Sequence, residues 1–214
     1  AGPRTFARVT HGTEIFDLNL GVRGRHMVAN ATAALAVGRL AGMDRYVALK
    51  ALGEFGASEG RGEITRLGPS AKPLLLVDES YNANPASMKE ALGILGSVAA
   101  TGARRAVLGD MLELGPDSEA LHEGVGRAVP RDAWLYAAGS FAPALERGAR
   151  AAGVDAARIR RFDDVDAMAA AVRQDARAGD LVLVKGSRGM RLERVVEALV
   201  GAAGSGAPIG VGRD

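Results

Sequence analysis

Three short polar stretches hold most of the residues that could do chemistry. The first is Asp78-Glu79-Ser80-Tyr81-Asn82-Ala83-Asn84-Pro85. A carboxylate leaving a strand, as Asp78 would, can accept hydrogen bonds from a hydroxyl pair such as a ribose. The competing reading is local. Asp78 and Asn82 can satisfy turn amides, and Asn84-Pro85 can be an N-cap followed by proline at the first helical position. The second stretch is Gly109-Asp110-Met111-Leu112-Glu113-Leu114-Gly115. Its acids could face an ammonium or a metal ion, or could be solvated or cap the next helix. The third is Lys185-Gly186-Ser187-Arg188-Gly189, two cations and a hydroxyl on a glycine-relaxed turn. Amides exposed ahead of a helix, together with its dipole, attract an anion there. A solvated basic turn is the alternative. His26 and Asn30 sit one turn apart on a helix face, where packing or capping is the plainer role. Arg61 lies in a glycine-rich stretch and is solvated by default.

These residues need elements to position them. Apolar runs at 74–77, 106–108, 134–137 and 181–184 read as strands, with a shorter one at 159–162. Helical spacing follows at 86–99, 118–129, 142–152, 165–177 and 191–200. Strands alternating with helices predict a parallel sheet covered on both faces. Residues 63–67 add an edge strand. In such sheets ligands bind outside the carboxyl ends of the strands, and all three polar stretches follow strands. Upstream, 5–9 and 14–18 alternate as a β-hairpin. An Ala-rich helix starts near His26 and ends at Gly42, and Asp44 caps another. The glycines of 53–62 suit a hinge. The expected architecture is α/β: a Rossmann-like, doubly wound, mostly parallel sheet over 58–200, preceded by a hairpin-plus-helices unit at 1–57. Residues 201–214, Gly/Ala-rich and aperiodic, read as a flexible tail.

Composition narrows the function. The 214 residues are 48% hydrophobic and 24% charged, an ordinary globular balance. No apolar run approaches the roughly 20 residues of a membrane span. The first ten residues lack a signal-peptide layout, and without an initiator Met the chain reads as a processed or excised piece. The absence of Cys excludes disulfides and thiolate chemistry and fits a cytoplasmic setting. Three His without metal-site spacing make a His-built metal centre a poor reading. With 27 basic against 25 acidic residues and only 4% aromatics, neither a basic stripe nor a stacking platform for nucleic acid is present. There is no G-x-x-x-x-G-K-[ST] and no G-x-G-x-x-G after a strand. The motifs alone support a two-part α/β ligand-binding protein.

Taken together, Gly24-Arg25-His26-Met27-Val28-Ala29-Asn30-Ala31, Gly60-Arg61, Val77 through Pro85, Gly109 through Gly115 and Val184-Lys185-Gly186-Ser187-Arg188 resemble the Mur ligases of bacterial cell-wall synthesis. Order and spacing agree over nearly the whole chain. The D-[DE]-S-Y-N-A-N and G-D-M-x-E-L-G segments resemble the branch that adds D-alanyl-D-alanine to a UDP-N-acetylmuramoyl-tripeptide. The resemblance implies a three-domain ATP-dependent ligase working through an acyl phosphate, with Mg2+ on the phosphates. It implies that this chain is the end of the central ATP-binding domain plus the whole carboxyl-terminal domain. The phosphate loop would then lie upstream, and the chain alone would be inactive. It also implies a cytoplasmic monomer with no nucleic-acid partner. By the same resemblance His26 and Asn30 match an H-N-x-x-N adenine-side motif, in which Met27 replaces the first Asn. Arg61 matches a hinge arginine that reaches nucleotide, and Asp78 a ribose-binding carboxylate. Asn82 and Asn84 match closed-site contacts, and Lys185, Ser187 and Arg188 the turn facing the incoming dipeptide. Another Mur or folylpolyglutamate ligase, or a non-catalytic Rossmann-like binding module, are the alternatives.

Overall fold

The computed structural model describes residues 4–11, 13–22, 25–55, 63–69 and 71–204. Contacts divide the chain into two compact units, Ala1–Ser58 and Glu59–Asp214. Most of the glycine-rich stretch, residues 56–62, lies outside the described residues.

In the first unit β1 (Thr5–His11) and β2 (Glu14–Leu20) pair as an antiparallel hairpin. Two helices follow, α1 (Arg25–Leu40) and α2 (Arg45–Glu54). Asp44 caps α2, accepting from the amides of Tyr46 at 2.9 Å and Val47 at 3.1 Å. A small core of Leu18, Leu20, Val22 and Ala31 joins hairpin and helices.

The second unit is a six-stranded sheet with helices on both faces. Its strands are β3 (Glu63–Leu67), β4 (Leu74–Glu79), β5 (Arg104–Leu108), β6 (Trp134–Ala138), β7 (Ile159–Phe162) and β8 (Leu181–Lys185). Its helices are α3 (Pro85–Ser97), α4 (Ser118–Gly126), α5 (Ala142–Ala151), α6 (Val165–Asp175) and α7 (Glu193–Gly204). The spatial order is β3-β4-β8-β5-β6-β7, parallel except for the antiparallel edge strand β3.

Burial on both faces explains why the central strands are short continuous apolar runs. Along β8, Leu181 and Leu183 enter one core with Leu92, Leu95, Val125 and Leu145 from α3, α4 and α5. Val182 and Val184 enter the other, with Met168, Val172, Val195 and Leu199 from α6 and α7. Near the amino-terminal ends of the strands a buried polar chain runs across the second face. Arg105 Nε donates to Asp180 at 2.8 Å, Arg105 Nη1 donates to Tyr136 Oη at 2.8 Å, and Tyr136 donates to Asp175 at 2.9 Å.

Several helix boundaries differ from the sequence expectation, by the most in α4 and α7. Helix α4 stops at Gly126 rather than at residue 129, because Pro130 disfavours helical angles just before it. The last amides there close short turns instead, Ala128 onto Val125 and Val129 onto Gly126. Helix α7 begins at Glu193, after Arg191 takes a left-handed conformation with φ of 57°. It then runs on to Gly204, so residues 201–204 are helical and not part of a loose tail. Residues 205–214 lie outside the described residues.

Candidate functional site

The strand order creates a topological switch. β8 lies between β4 and β5, to which it is parallel. The chain leaves β4 and β5 for helices on one face, and leaves β8 for α7 on the other. Loops that depart to opposite faces leave a crevice at the carboxyl edge, where open α/β sheets take their ligands. The three polar stretches of the sequence all arrive there. Asp78 stands opposite Val184, and Lys185 opposite both Glu79 and Leu108.

The loops are packed against one another at the backbone. Gly109 N–H donates to Lys185 O at 2.9 Å, and Ser187 N–H donates to Asp110 O at 3.0 Å. A Cβ on Gly186 would come within 2.6 Å of Leu192 Cδ1 and 3.2 Å of the Gly109 Cα. Glycine thus favours the close approach of the two loops at this crossing.

Asp78 is buried at the end of β4. Its Oδ1 accepts from the Ser80 amide at 3.0 Å and the Ser80 hydroxyl at 2.6 Å. Among the described residues nothing donates to Oδ2, and no fully buried polar side-chain atom lacks a partner. Oδ2 thus keeps a lone-pair edge toward solvent. The local turn reading and the ligand reading of Asp78 are compatible: one oxygen shapes the turn and the other stays open.

Lys185 departs from its expected place on a ligand-facing turn. It is only 2% exposed, and its ammonium donates to Glu79 Oε2 and to the Asn82 carbonyl, both at 3.0 Å. Glu79 sits beside it on the neighbouring strand, so the charge is neutralised inside the edge and not offered to an anion. Ser187 also turns inward. It is 4% exposed, and its hydroxyl accepts from the Leu112 amide at 2.9 Å. Asn84 is exposed and caps α3, accepting from the Ser87 amide at 2.9 Å while the Ser87 hydroxyl accepts from the Asn84 amide at 3.2 Å.

Asp110 is not available to an ammonium or a metal. It is buried, and its two oxygens accept from the amides of Ser140 at 2.7 Å and Phe141 at 3.0 Å ahead of α5. A Cβ on Gly139 would overlap this carboxylate, and φ there is 113°. Among the described residues no group of three His, Asp or Glu side chains could hold a metal ion. Mg2+, usually held by one or two carboxylates together with substrate phosphates, thus has no preformed three-ligand site among the described residues.

What faces solvent at this edge is different in character. Arg188 is exposed, donates to Tyr81 Oη at 3.0 Å and lies 5.0 Å from the Tyr81 ring centroid. Tyr81 is 38% exposed and Leu112 44% exposed. Leu112 covers Gly189, the residue after Arg188. Asn82 is exposed beside them. A cation held on an aromatic face, an aliphatic side chain and a carboxamide suit a small molecule carrying a carboxylate. Sequence reasoning gave no separate role to Tyr81 or Leu112. Their exposure, the one available signal, is a tertiary property.

In the first unit, His26 and Asn30 fall in α1. Asn30 is exposed, and the side chain of His26 lies outside the described residues. Arg61 lies outside the described residues as well.

This fold is shared with known proteins. A model of the Mur ligase family, described as the glutamate ligase domain, matches residues 60–188. The chain belongs to the Mur ligase family. The UDP-N-acetylmuramoyl-tripeptide–D-alanyl-D-alanine ligase of Bacillus subtilis (strain 168) is 33% identical over 181 residues, covering 84% of this chain and 39% of that Mur ligase. Its counterpart in Escherichia coli (strain K12) is 34% identical over 200 residues, covering 89% of this chain and 42% of the relative. A crystal structure of MurF from Acinetobacter baumannii superposes with a TM-score of 0.74 at 26% identity, covering 92% of this chain and 42% of that one. MurF from Thermotoga maritima, solved in complex with ADP, gives 0.70 at 27% identity, covering 94% and 44%. The chain therefore spans about two fifths of the length of these Mur ligases.

Proposed function

We propose that this chain is part of an ATP-dependent amide ligase that adds D-alanyl-D-alanine to UDP-N-acetylmuramoyl-tripeptide in peptidoglycan synthesis. The observation that carries the reading is the carboxyl edge at the β4/β8/β5 switch. There an open carboxylate oxygen on Asp78 lies along the same edge as an exposed guanidinium on Arg188. ATP, when bound, would supply the phosphoryl group that makes the tripeptide carboxylate reactive.

This chain's residues bind and orient. Asp78 Oδ2 accepts from the ribose hydroxyls, while Ser80 fixes the carboxylate through Oδ1. Arg188 holds the carboxylate of D-alanyl-D-alanine by charge-assisted bonds, its guanidinium oriented by Tyr81. The carboxamides of Asn82 and Asn84 offer neutral donors nearby. Lys185 and Ser187 act indirectly, by fixing the loops that carry these groups. On the family pattern Asn30, with His26, is assigned to the adenine side and Arg61 to the nucleotide. No step is assigned to Mg2+. The cytoplasm is the proposed compartment and a monomer the proposed state. Among the described residues no helix is long and apolar enough to cross a membrane.

The test is phosphate release dependent on tripeptide and D-alanyl-D-alanine, in the ligase that carries this chain. Asp78→Ala should raise the apparent KM for ATP, and Arg188→Ala that for D-alanyl-D-alanine, each by roughly tenfold or more, the scale of a lost bond to a charged group. An unchanged KM for both substrates would refute the assignment. The 214-residue chain alone contains no phosphate loop and should neither hydrolyse ATP nor ligate.

A further inference from the structure

His122 is fully buried, and nothing in the proposed reaction uses it. Both ring nitrogens meet backbone groups whose roles are chemically fixed. The Met111 amide can only donate, and it donates to Nε2 at 2.8 Å. The Ser118 carbonyl can only accept, and it lies 2.6 Å from Nδ1. The imidazole is therefore neutral with its hydrogen on Nδ1. The ring is stacked on Phe141, with centroids 4.5 Å apart.

The amide that His122 receives belongs to the loop of residues 109–114. Its neighbour, the Leu112 amide, is received by Ser187 at 2.9 Å. The loop thus hangs from two side-chain acceptors on opposite sides, one from α4 and one from the turn after β8. Backbone bonds with the turn after β8 hold only its start, Gly109 N–H to Lys185 O and Ser187 N–H to Asp110 O; the amides of Met111 and Leu112 rely on the two side chains. Between these bonds the chain sets Leu112 over Gly189, beside the Arg188–Tyr81 pair.

We propose that His122 is a positioning residue. As a neutral acceptor it holds the Met111 amide and so places Leu112 against the turn that carries Arg188. Leu112 in this setting is an apolar wall beside the Arg188 guanidinium, where the proposed amine substrate binds. The kinetic part of this inference rests on the ligase reading above; the structural part does not.

Two variants separate acceptor function from bulk. His122→Phe keeps a ring against Phe141 but removes the acceptor. His122→Gln restores an amide oxygen able to reach the Met111 N–H. In the 214-residue chain, amide hydrogen exchange is read by NMR at Met111 and Leu112, with Val107 and Leu183 in the sheet core as internal references. His122→Phe should lower protection at Met111 by about tenfold or more relative to the references, and His122→Gln should return most of it. Equal loss at all four amides would mean a purely global role and would overturn the proposal. In the ligase, His122→Phe should raise the KM for D-alanyl-D-alanine severalfold with the KM for ATP unchanged, and His122→Gln should rescue it. A fall in kcat with both KM values intact would also overturn it. If wild-type ligase makes no amide, the ligase reading fails, and the exchange measurement alone decides whether His122 positions the loop.

Discussion

Replacing Lys185 by Met tests whether the carboxyl edge is braced from within. The Lys185 side chain is 2% exposed and the Glu79 side chain 24% exposed. The pair is joined at 3.0 Å, and a second bond of 3.0 Å ties Lys185 to the Asn82 carbonyl. Removing one partner of a fully buried ion pair costs about 3–5 kcal/mol, because the other charge is left without compensation. Glu79 keeps about a quarter of its surface in water, so its stranded carboxylate is partly solvated. Met preserves most of the lysine's aliphatic volume, so little cavity cost is added. The expected loss is therefore below that range, at about 2–3 kcal/mol. Glu79→Leu combined with Lys185→Met removes both charges and should recover most of it, since well-packed apolar replacements of buried pairs are often neutral. Urea unfolding followed by tryptophan fluorescence is a suitable assay. Trp134 is the sole tryptophan and lies in β6, so the signal reports the second unit. Amide exchange in residues 80–84 should rise in Lys185→Met, because the Asn82 anchor is gone. A loss under about 0.5 kcal/mol, the level of a surface pair, or a double variant no better than Lys185→Met, would refute the bracing argument.

Two further outcomes are expected from the buried chain at the other end of the sheet. Arg105→Met leaves Asp180 buried at 3% exposure, though the amides of Ala103 and Arg177 still donate to it. The loss should be about 3 kcal/mol in the same urea assay, and a value near zero would show that the backbone amides suffice. Burial pushes the Tyr136 hydroxyl up to about 12 from 10; Arg105 opposes the shift, and the hydrogen bond to Asp175 adds to it. The folded state then holds this proton more tightly than the unfolded state. The contribution is complete below pH 10 and is lost as pH rises toward 12, about 3 kcal/mol in all. Subtracting the stability–pH curve of Tyr136→Phe from that of the wild type isolates it, and a flat difference between pH 10 and 12 would contradict the assignment.

The layered α/β plan was legible because its determinants are local. Leu74 through Val77 and Leu181 through Val184 are apolar on both sides of the pleat, which only a doubly covered strand requires. Asp44 and Asn84 announced their caps for the same reason: the amides they satisfy are within three residues. The strand that would separate β4 from β5 was not legible. β8 comes from more than seventy residues further along the chain than β5, and no local pattern specifies that insertion.

The same division governs the site. Residue types and their places after strands marked Asp78, Lys185, Ser187 and Arg188 from sequence alone. Which of them faces a ligand depended on partners far away in the chain. Lys185 is drawn inward by Glu79, 106 positions earlier, whereas Arg188 is held at the surface by Tyr81, 107 positions earlier. A buried charge is stable only beside its counter-charge, and that proximity comes into being when the sheet assembles. His122 shows the limit most plainly. Its sequence context is an ordinary helix, and only the packing of α4 against the loop after β5 turns its Nε2 into the acceptor for Met111.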